Sequence, residues 1–257
     1  MEATQPSRIP TDYDARAGAY TAARVPDPRL ERRIHSALGD ARSVVNVGAG
    51  TGAYEPTDRQ VLAIEPSAAM IAARPPRAAH AIQAAAESIP VPDQSYDAAM
   101  AILTMHHWTD VPAGLAELRR VARRRVVLFT WDPEFDDALW LTQRYFPGIR
   151  TQDRVCFPRF ELIERILGPL DVEPVPIPYE CTDGFLGSRW RRPSAYLDPQ
   201  VRDGMSGFSR LTEAETATGI KRLRDDLDSG AWRERFGHLL DLDEMDLGYR
   251  LIVAESA

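Results

Sequence analysis

The feature that most constrains the fold is a cluster of glycines in the stretch VVNVGAGTGAYEP, which covers residues 44–56. Gly48, Gly50 and Gly52 fall within five positions directly after an apolar run, although the chain of 257 residues has only 16 glycines. Glycine costs roughly 0.5–1 kcal/mol relative to alanine inside a regular element, so the cluster indicates unusual backbone angles or the close approach of another group. At the end of a predicted strand, this pattern is typical of a ligand-binding turn in an open α/β sheet.

Short apolar segments alternate with amphipathic ones through the first half of the chain. Apolar and β-branched runs predict strands at 43–48, 61–65, 81–86, 96–105 and 125–131. Apolar residues at helical spacing predict helices at 27–38, 66–74, 112–124 and 160–168. Strands that alternate with helices pair in parallel through crossover helices, so the predicted fold class is α/β with a Rossmann-like, doubly wound sheet.

The alternation stops after the strand that ends at residue 131. We expect residues 132–158 to be irregular and rich in aromatic side chains, and the three prolines of 171–180 favour an edge strand because proline lacks a ladder donor. Helices with loops over 181–245 and a last strand at 248–255 complete the prediction. The predicted domains are an N-terminal helical cap segment over 1–40, a core over 41–180 and 246–257, and a helical substrate lid inserted over 181–245.

Composition disfavours several classes of function. The formal net charge is -7, which makes nucleic acid an unlikely partner because lysine and arginine supply most of the affinity for phosphates. Cys156 and Cys181 stand in no zinc-binding pattern, so we expect no metal site. The N-terminus lacks a signal-peptide pattern, and no apolar run approaches the roughly 20 residues that span a bilayer. We therefore expect a cytoplasmic protein without a membrane partner; the sequence leaves its oligomeric state open.

A carboxylate follows the glycine cluster at a position that suits a nucleoside. Glu65 ends the next predicted strand, seventeen positions after Gly48. A carboxylate there can accept hydrogen bonds from both hydroxyls of a ribose. This acid fits nicotinamide cofactors and S-adenosylmethionine alike, because both carry adenosine. The dinucleotide fingerprint GxGxxG is not matched, however, since Ala53 stands where its last glycine would be.

Four motifs in order along the chain carry a family resemblance, and the first two are the glycine pattern and Glu65. The glycine pattern hhxhGxGxG and the segment AAAESIPVPDQSYDAAMAILTMHHW, residues 84–108, resemble class I S-adenosylmethionine-dependent methyltransferases of the small-molecule, type 11 group. The resemblance covers residues 13–131, about half of the chain. It implies a seven-stranded sheet with an antiparallel last strand, and S-adenosylmethionine as the methyl donor. Asn46 departs from the pattern, because many members of the group carry an aspartate at this position.

The resemblance also implies which residues meet the cofactor. It places there Tyr13, Tyr20, Arg24, Gly48, Ala49, Gly50, Gly52, Glu65, Pro66, Ser67, Met70, Ala86, Glu87, Ser88 and Leu103. Glu65 is expected at the ribose, and the backbone around Glu87 at the adenine edge. Met70 either covers the adenine or belongs to the core. Arg24 is expected at the methionine carboxylate because its fork can bond bidentately, unless its segment packs on the sheet edge instead.

Two adjacent histidines follow the fourth predicted strand. Either His106 or His107 acts as a general base, since the pKa of histidine lies near neutrality, or both shape the pocket floor. A metal site is not favoured, because neighbouring side chains diverge and no acid or cysteine stands at a helpful spacing. We expect the other histidines, His35, His80 and His238, at the surface.

The predicted function is methyl transfer to an O, N or C atom of a small metabolite. Aromatic residues in 132–158 and 181–245 suit an aromatic or polycyclic acceptor. A non-catalytic S-adenosylmethionine-binding protein of the same fold is an alternative, as is a methyltransferase that acts on RNA or protein. An NAD(P)-dependent oxidoreductase is the weaker alternative, because Ala53 breaks its fingerprint and Lys221 is the only lysine available for a Tyr-x-x-x-Lys pair.

Overall fold

Strands form the centre of the computed structural model, which describes residues 24–136 and 139–255. In chain order they are β1 (Ser43–Val47), β2 (Gln60–Glu65), β3 (His80–Gln83), β4 (Tyr96–Ile102), β5 (Ala122–Trp131), β6 (Leu170–Pro174), β7 (Ile177–Pro178), β8 (Glu244–Met245) and β9 (Tyr249–Glu255). β7 and β8 pair with each other, and the remaining seven strands form one sheet in the order β3-β2-β1-β4-β5-β9-β6.

The sheet is doubly wound, as the sequence predicts. The first five strands pair in parallel, while β9 runs antiparallel between β5 and β6. The chain leaves β1 through β2 to β3 and then returns to β4 on the other side of β1. This reversal opens a crevice at the carboxyl ends of β1 and β4, which is where open α/β sheets bind ligands. The seven strands and the antiparallel last strand are therefore confirmed.

Helices lie between and after the strands. They are α1 (Pro28–Ala37), α2 (Ala68–Ala72), α3 (Val111–Val121), α4 (Pro147–Cys156), α5 (Phe160–Leu167), α6 (Pro199–Asp203), α7 (Ser206–Ser209), α8 (Glu213–Asp228) and α9 (Ala231–Phe236). Side-chain caps begin several of them: Asp27, Ser67 and Asp110 accept backbone N–H groups at the starts of α1, α2 and α3. Thr212 and Glu215 form a capping box at the start of α8.

The prediction of an irregular segment over 132–158 is wrong. The segment contains a π-helix at Leu141–Tyr145 and the helix α4. Pro147 begins α4, where the fixed φ of proline suits the first turn and its missing N–H is not needed. Asp153 lies on the buried face of this helix, so a polar residue interrupts the apolar periodicity by which a helix is recognised.

The strand predicted over 96–105 is too long. β4 ends at Ile102, because Leu103 adopts a φ of +50° and Met105–His107 form a 3₁₀ turn. A continuous apolar run therefore covers a strand, a left-handed residue and a turn. This bend is what directs the chain into the crevice instead of past it.

Each face of the sheet packs against its own group of buried side chains. Alternate residues of β1 divide between the two faces: Val44 packs with α1, and Val45 with α3 and α5. The first face continues into the 181–245 segment, where Trp190 and Tyr196 pack around Trp140. Many of the aromatic residues in the second half of the chain are therefore core residues.

Candidate active site

The glycine cluster forms the turn that leaves β1 at the crevice. Gly48, Gly50 and Gly52 all have positive φ, at +68°, +52° and +95°. A Cβ at Gly48 would lie 1.9 Å from Oγ1 of Thr104, so this position has no room for a side chain. A Cβ at Gly50 would instead meet no atom within 4 Å. The bare backbone at Gly50 thus borders open space in the crevice, which suits a ligand that lies against the peptide groups.

Glu65 lies beside this turn at the end of β2. Its Oε2 accepts the N–H of Gly50 at 2.7 Å, and its Oε1 accepts the N–H of Ser67 at 2.9 Å. The residue is only 7% exposed. These two hydrogen bonds brace the glycine turn against the end of β2, and binding of the ribose hydroxyls by Glu65 stays a prediction.

The residues predicted around the adenine lie at the same edge of the sheet. Glu65 pairs with Gln83 across β2 and β3, and the Gln83 amide donates to the carbonyl of Pro66 at 3.1 Å. Ser67 caps α2 by accepting the N–H of Met70 at 3.1 Å, and Met70 is buried. Pro66, Ser67 and Met70 therefore follow the end of β2 directly, while their contact with the cofactor, and the choice between adenine cover and core for Met70, stay predictions.

In the segment after β3, the side chain of Glu87 is bound within the protein. Ala86 is buried and Ser88 is exposed. The carboxylate of Glu87 accepts Oγ1–H of Thr109 and the N–H of Asp110, both at 2.9 Å. Glu87 therefore holds the loop before α3, and contact with the adenine through the backbone of this segment stays a prediction.

Of the predicted N-terminal ligands, Tyr13 and Tyr20 lie outside the described residues. Arg24 borders the crevice, but its fork is used within the protein: Nε and Nη2 donate to the two carboxylate oxygens of Asp183 at 2.6 and 3.1 Å. The expected bidentate bond from Arg24 to the methionine carboxylate would have to compete with this buried ion pair.

Tyr54 connects the glycine turn to the same ion pair, and the sequence analysis did not identify it. Its hydroxyl donates to Oδ2 of Asp183 at 2.8 Å, and the side chain is buried. Burial, together with the charge of Asp183, raises the pKa of the Tyr54 phenol far above its usual range, so the group stays a neutral donor. The only feature of the sequence that points to Tyr54 is its position two residues after the last glycine of the cluster. Its partner Asp183 is 129 residues away, and no pattern in the sequence marks it as a site residue.

A second buried cluster explains the departure at Asn46. Its amide donates to Oε1 of Glu55 at 3.1 Å, and Nη2 of Arg74 donates to both oxygens of Glu55 at 2.7 and 2.8 Å. Arg74 also donates to the carbonyl of Gly50 at 2.9 Å. An aspartate at position 46 would face the carboxylate of Glu55, so the amide is the residue type that fits here.

A cavity lies at the 3₁₀ turn that follows β4. His106 and His107 line it, and the rings of His106 and Phe157 stack at 4.3 Å. Nε2 of His106 lies 3.4 Å from Oγ of Ser206. Burial, with smaller contributions from Arg210 and Arg24, lowers the pKa of His107 to about 3. His107 is thus neutral near pH 7 and a weak proton acceptor.

The described residues contain neither a cluster of metal-ligating side chains nor a helix that could span a membrane. No group of three His, Cys, Asp or Glu side chains within 24–136 and 139–255 could hold a metal ion. None of the helices in the same ranges has the length and apolar character that crossing a bilayer requires.

Comparison with known proteins decides the family. A model described as "Methyltransferase domain" matches residues 45–130. A putative methyltransferase from an antibiotic biosynthesis pathway of Anabaena variabilis is 30% identical, with a TM-score of 0.82 over 90% of this chain and 98% of that one. The chain belongs to the class I S-adenosylmethionine-dependent methyltransferases. No protein with a curated description matches the sequence of this methyltransferase.

More distant structures share the fold. A possible histamine N-methyltransferase of Thermotoga maritima is 14% identical, with a TM-score of 0.53 over 95% of this chain and 98% of that one. A geranyl diphosphate C-methyltransferase of Streptomyces coelicolor, solved with S-adenosyl-L-homocysteine, is 14% identical, with a TM-score of 0.50 over 89% of this chain and 77% of that one.

Family membership removes two of the alternatives. The protein is a methyltransferase, neither an NAD(P)-dependent oxidoreductase nor a silent binder, and S-adenosylmethionine is its cofactor. The residues present fit that cofactor, because the open space at Gly50 adjoins the Glu65 carboxylate. The individual contacts of the predicted cofactor residues stay predictions.

Proposed function

We propose that this methyltransferase transfers the methyl group to an O, N or C atom of a small metabolite with a flat apolar body. The observation that carries the proposal is the cavity that shares one lining residue, Arg24, with the crevice at the glycine turn. Trp131, Phe157 and Phe185 line its apolar walls, and His106 and His107 lie at the carboxyl end of β4. Arg24 borders both the crevice and the cavity, so the two spaces lie on either side of the same residue or next to it.

The chain's own residues then have to bind the cofactor and the acceptor, orient the acceptor atom and exclude water. S-adenosylmethionine supplies an already activated methyl group, so no covalent help from the protein is required. The glycine turn and Glu65 would hold the nucleoside, while the 181–245 segment would serve as a lid that keeps the acceptor in line and dry. Because His107 stays neutral, it suits a hydrogen bond that orients the acceptor better than removal of a proton.

A small acceptor is favoured over a macromolecular one. The net charge of -7 disfavours RNA, whose binding depends on many cationic contacts. The cavity also lies between the sheet and the 181–245 segment, with Met205 and Leu186 among its walls, instead of on an open face. A folded protein or a duplex could not present an atom there without moving these walls.

The test is turnover with and without acceptor. S-adenosylmethionine should bind with 1:1 stoichiometry by calorimetry, and release of S-adenosylhomocysteine should be slow alone and accelerated by low-molecular-weight extracts. Size fractionation of the extract should keep the active fraction below about 1 kDa, the size that such pockets enclose. Acceleration only by RNA or protein fractions would overturn the proposal.

A further inference from the structure

Tyr54 ends the glycine turn in a backbone conformation that is unfavourable for a residue with a side chain. Its φ is +64°, in the left-handed region where a Cβ is crowded by the neighbouring carbonyl group. Such strain persists only where surrounding contacts hold it, and it occurs most often at functional sites. Here both ends of the residue are held: Nε2 of His35 lies 3.0 Å from the carbonyl oxygen of Tyr54, and the phenol donates to Asp183. The shape of the turn at Tyr54 therefore depends on contacts with other elements.

The Asp183 carboxylate that binds this phenol belongs to the 181–245 segment. Asp183 is fully buried, and its two oxygens accept four hydrogen bonds. These come from the phenol of Tyr54 at 2.8 Å, from Nε and Nη2 of Arg24 at 2.6 and 3.1 Å, and from the N–H of Gly184 at 2.7 Å. A carboxylate that is gripped by a guanidinium fork and two further donors has one well-defined position.

The contact between Tyr54 and Asp183 joins two different spaces. Tyr54 borders the crevice at the glycine turn. Phe185 and Leu186, which follow Asp183 closely in the chain, line the cavity at the 3₁₀ turn. A single buried hydrogen bond thus connects a residue of the crevice to the stretch of chain that forms one wall of the cavity.

A second buried carboxylate strengthens this connection. Oδ2 of Asp27 accepts the N–H of Thr182 at 3.2 Å, and the N–H of Asp27 donates to the phenol oxygen of Tyr54 at 3.4 Å. Nε and Nη2 of Arg29 donate to the two carboxylate oxygens of Asp27 at 2.9 and 2.8 Å. Breaking contacts of a buried charge is strongly unfavourable. The start of the 181–245 segment therefore cannot leave the turn without disturbing both carboxylates.

We propose that Tyr54 and Asp183 are positioning residues that couple cofactor binding to the wall of the cavity, so that a cofactor seated against the glycine turn holds residues 182–186 in place. The inference rests on the proposed function, in which the turn holds the nucleoside and the cavity receives the acceptor. The physical basis is linkage. An opening of 182–186 breaks the contact that keeps Tyr54 in its strained conformation, so a ligand that binds the intact turn opposes the opening.

Hydrogen exchange on the full chain tests this coupling. The probe is S-adenosylhomocysteine, added at the same multiple, roughly fiftyfold, of the dissociation constant that calorimetry gives for each variant. We expect the ligand to slow exchange of the amides of 182–190 by at least about fivefold, and by no more than the roughly fiftyfold that complete linkage allows. The amides of α5, which packs on the other face of the sheet, are the internal control and should change little.

Tyr54→Phe removes the connecting hydrogen bond and keeps the ring. At the same ligand saturation, this variant should lose most of the protection that S-adenosylhomocysteine gives to 182–190. Tyr145→Phe is the matched control, because the phenol of Tyr145 also belongs to a buried residue and also donates to a carboxylate, Oδ2 of Asp226, at 2.8 Å. It lies outside the crevice and should keep the full protection.

Asp183→Asn tests the other partner of the same contact. It should lose the ligand-dependent protection as Tyr54→Phe does, and the double variant should lose no more than either single variant, because all three lack one shared interaction. A purely structural role would instead speed exchange with and without the ligand by the same factor. If Asp183→Asn does not fold, Tyr54→Phe and Tyr145→Phe still decide the question.

The coupling is overturned if S-adenosylhomocysteine binds the wild type without slowing exchange of 182–190, or slows it equally in the wild type and Tyr54→Phe. An equal loss of protection in Tyr145→Phe would also overturn it, since that result indicates general loosening. A wild type that does not bind S-adenosylhomocysteine contradicts both this inference and the proposed function. One that shows the coupling but transfers methyl groups only to macromolecules contradicts the proposed function alone.

Discussion

At the scale of single residues, the crevice depends on which charged groups stand next to each other. Glu55 is 6% exposed in its side chain and is held by Arg74 on one side and the Asn46 amide on the other. Two carboxylates in contact in such a place cannot both ionise without cost. The residue type at position 46 therefore depends on the one at position 55, because the Asn46 amide can donate to the Glu55 carboxylate and an aspartate could not.

Asn46→Asp tests this link. The new carboxylate would replace a donor 3.1 Å from Glu55 by a like charge, so the free energy of unfolding should fall by about 1–3 kcal/mol. The double variant Asn46→Asp with Glu55→Gln exchanges the two groups and should recover most of the loss. Urea unfolding at pH 7.5 measures both. Simple additivity of the two single changes would contradict the coupling.

Gly50→Ala separates ligand contact from backbone strain. Gly50 and Gly230 both have positive φ in the left-handed region and open space where a Cβ would be, so alanine at either should cost about 1–2 kcal/mol of stability through strain. Only the methyl group at position 50 would enter the crevice. We therefore expect S-adenosylhomocysteine to bind at least tenfold more weakly to Gly50→Ala and normally to Gly230→Ala. Equal cofactor affinity in the two variants would place the ligand elsewhere.

Glu65→Ala should weaken cofactor binding by tenfold to about thirtyfold, because two hydroxyl contacts worth about 1 kcal/mol each would be lost. The variant also removes the acceptor for the N–H of Gly50, so melting temperature must be followed alongside the dissociation constant. Glu173→Ala, an exposed carboxylate on β6, is the matched control. An unchanged dissociation constant would remove Glu65 from the site.

At the scale of elements, loops far apart in sequence meet at the crevice. The glycine turn after β1 supplies Tyr54, the residue before α1 supplies Asp27, and the 181–245 segment supplies Asp183 and Thr182. Arg24 closes the group with its ion pair to Asp183. The 181–245 segment is thereby held at its start to the glycine turn, so a shift of either element has to break these buried contacts.

Asp183→Asn and Tyr54→Phe measure the strength of that fastening. Asp183 is fully buried, so its neutralisation breaks the buried ion pair with Arg24 and should lower the free energy of unfolding by about 3–5 kcal/mol. Tyr54→Phe deletes one hydrogen bond to the same carboxylate and should cost less, about 1–3 kcal/mol. Urea unfolding of both variants shows which of them loses more free energy of unfolding. A larger loss in Tyr54→Phe than in Asp183→Asn would show that the ion pair is not the main contact.

At the scale of the whole molecule, one sheet separates two hydrophobic cores and borders the candidate active site. Helices α3 and α5 fill one face, while α1 and the second half of the chain fill the other and enclose the cavity. The cavity side carries buried titratable groups, among them His107. Its stability therefore depends on pH in a way that a purely apolar core would not.

The direction of that dependence follows from the pKa of His107. The unfolded chain binds a proton on this imidazole below about pH 6.5, whereas the folded protein does so only near pH 3, so the free energy of unfolding falls as pH drops through this window. Hydrogen bonds to Asp97 keep its pKa near 2, so its contribution is present above about pH 4 and is lost only at lower pH.

His107→Asn should flatten the slope between pH 6.5 and pH 4. Urea unfolding at several pH values in this window gives the slope directly. His80→Asn, an exposed histidine on β3, should leave it unchanged. Parallel profiles for wild type and His107→Asn would show that His107 is charged or exposed in the folded protein.

The sequence by itself determined the sheet and the glycine turn, because both depend on local chemistry. β-branched runs, helical spacing and glycines at one strand end are readable within a few residues of each other, as at β1 and Gly50. The wrong prediction of an irregular segment over 132–158 has the same cause. Asp153 is a polar residue on the buried face of α4, and its burial is explained only by its ion pair with Arg210, which is distant in sequence. Only the tertiary structure shows that Arg24 forms an ion pair with Asp183, and that the Asn46 amide donates a hydrogen bond to Glu55. The same is true of the three arginines that line the cavity. These contacts join distant parts of the chain, and the free energy of a buried charge depends on the partners that folding brings to it.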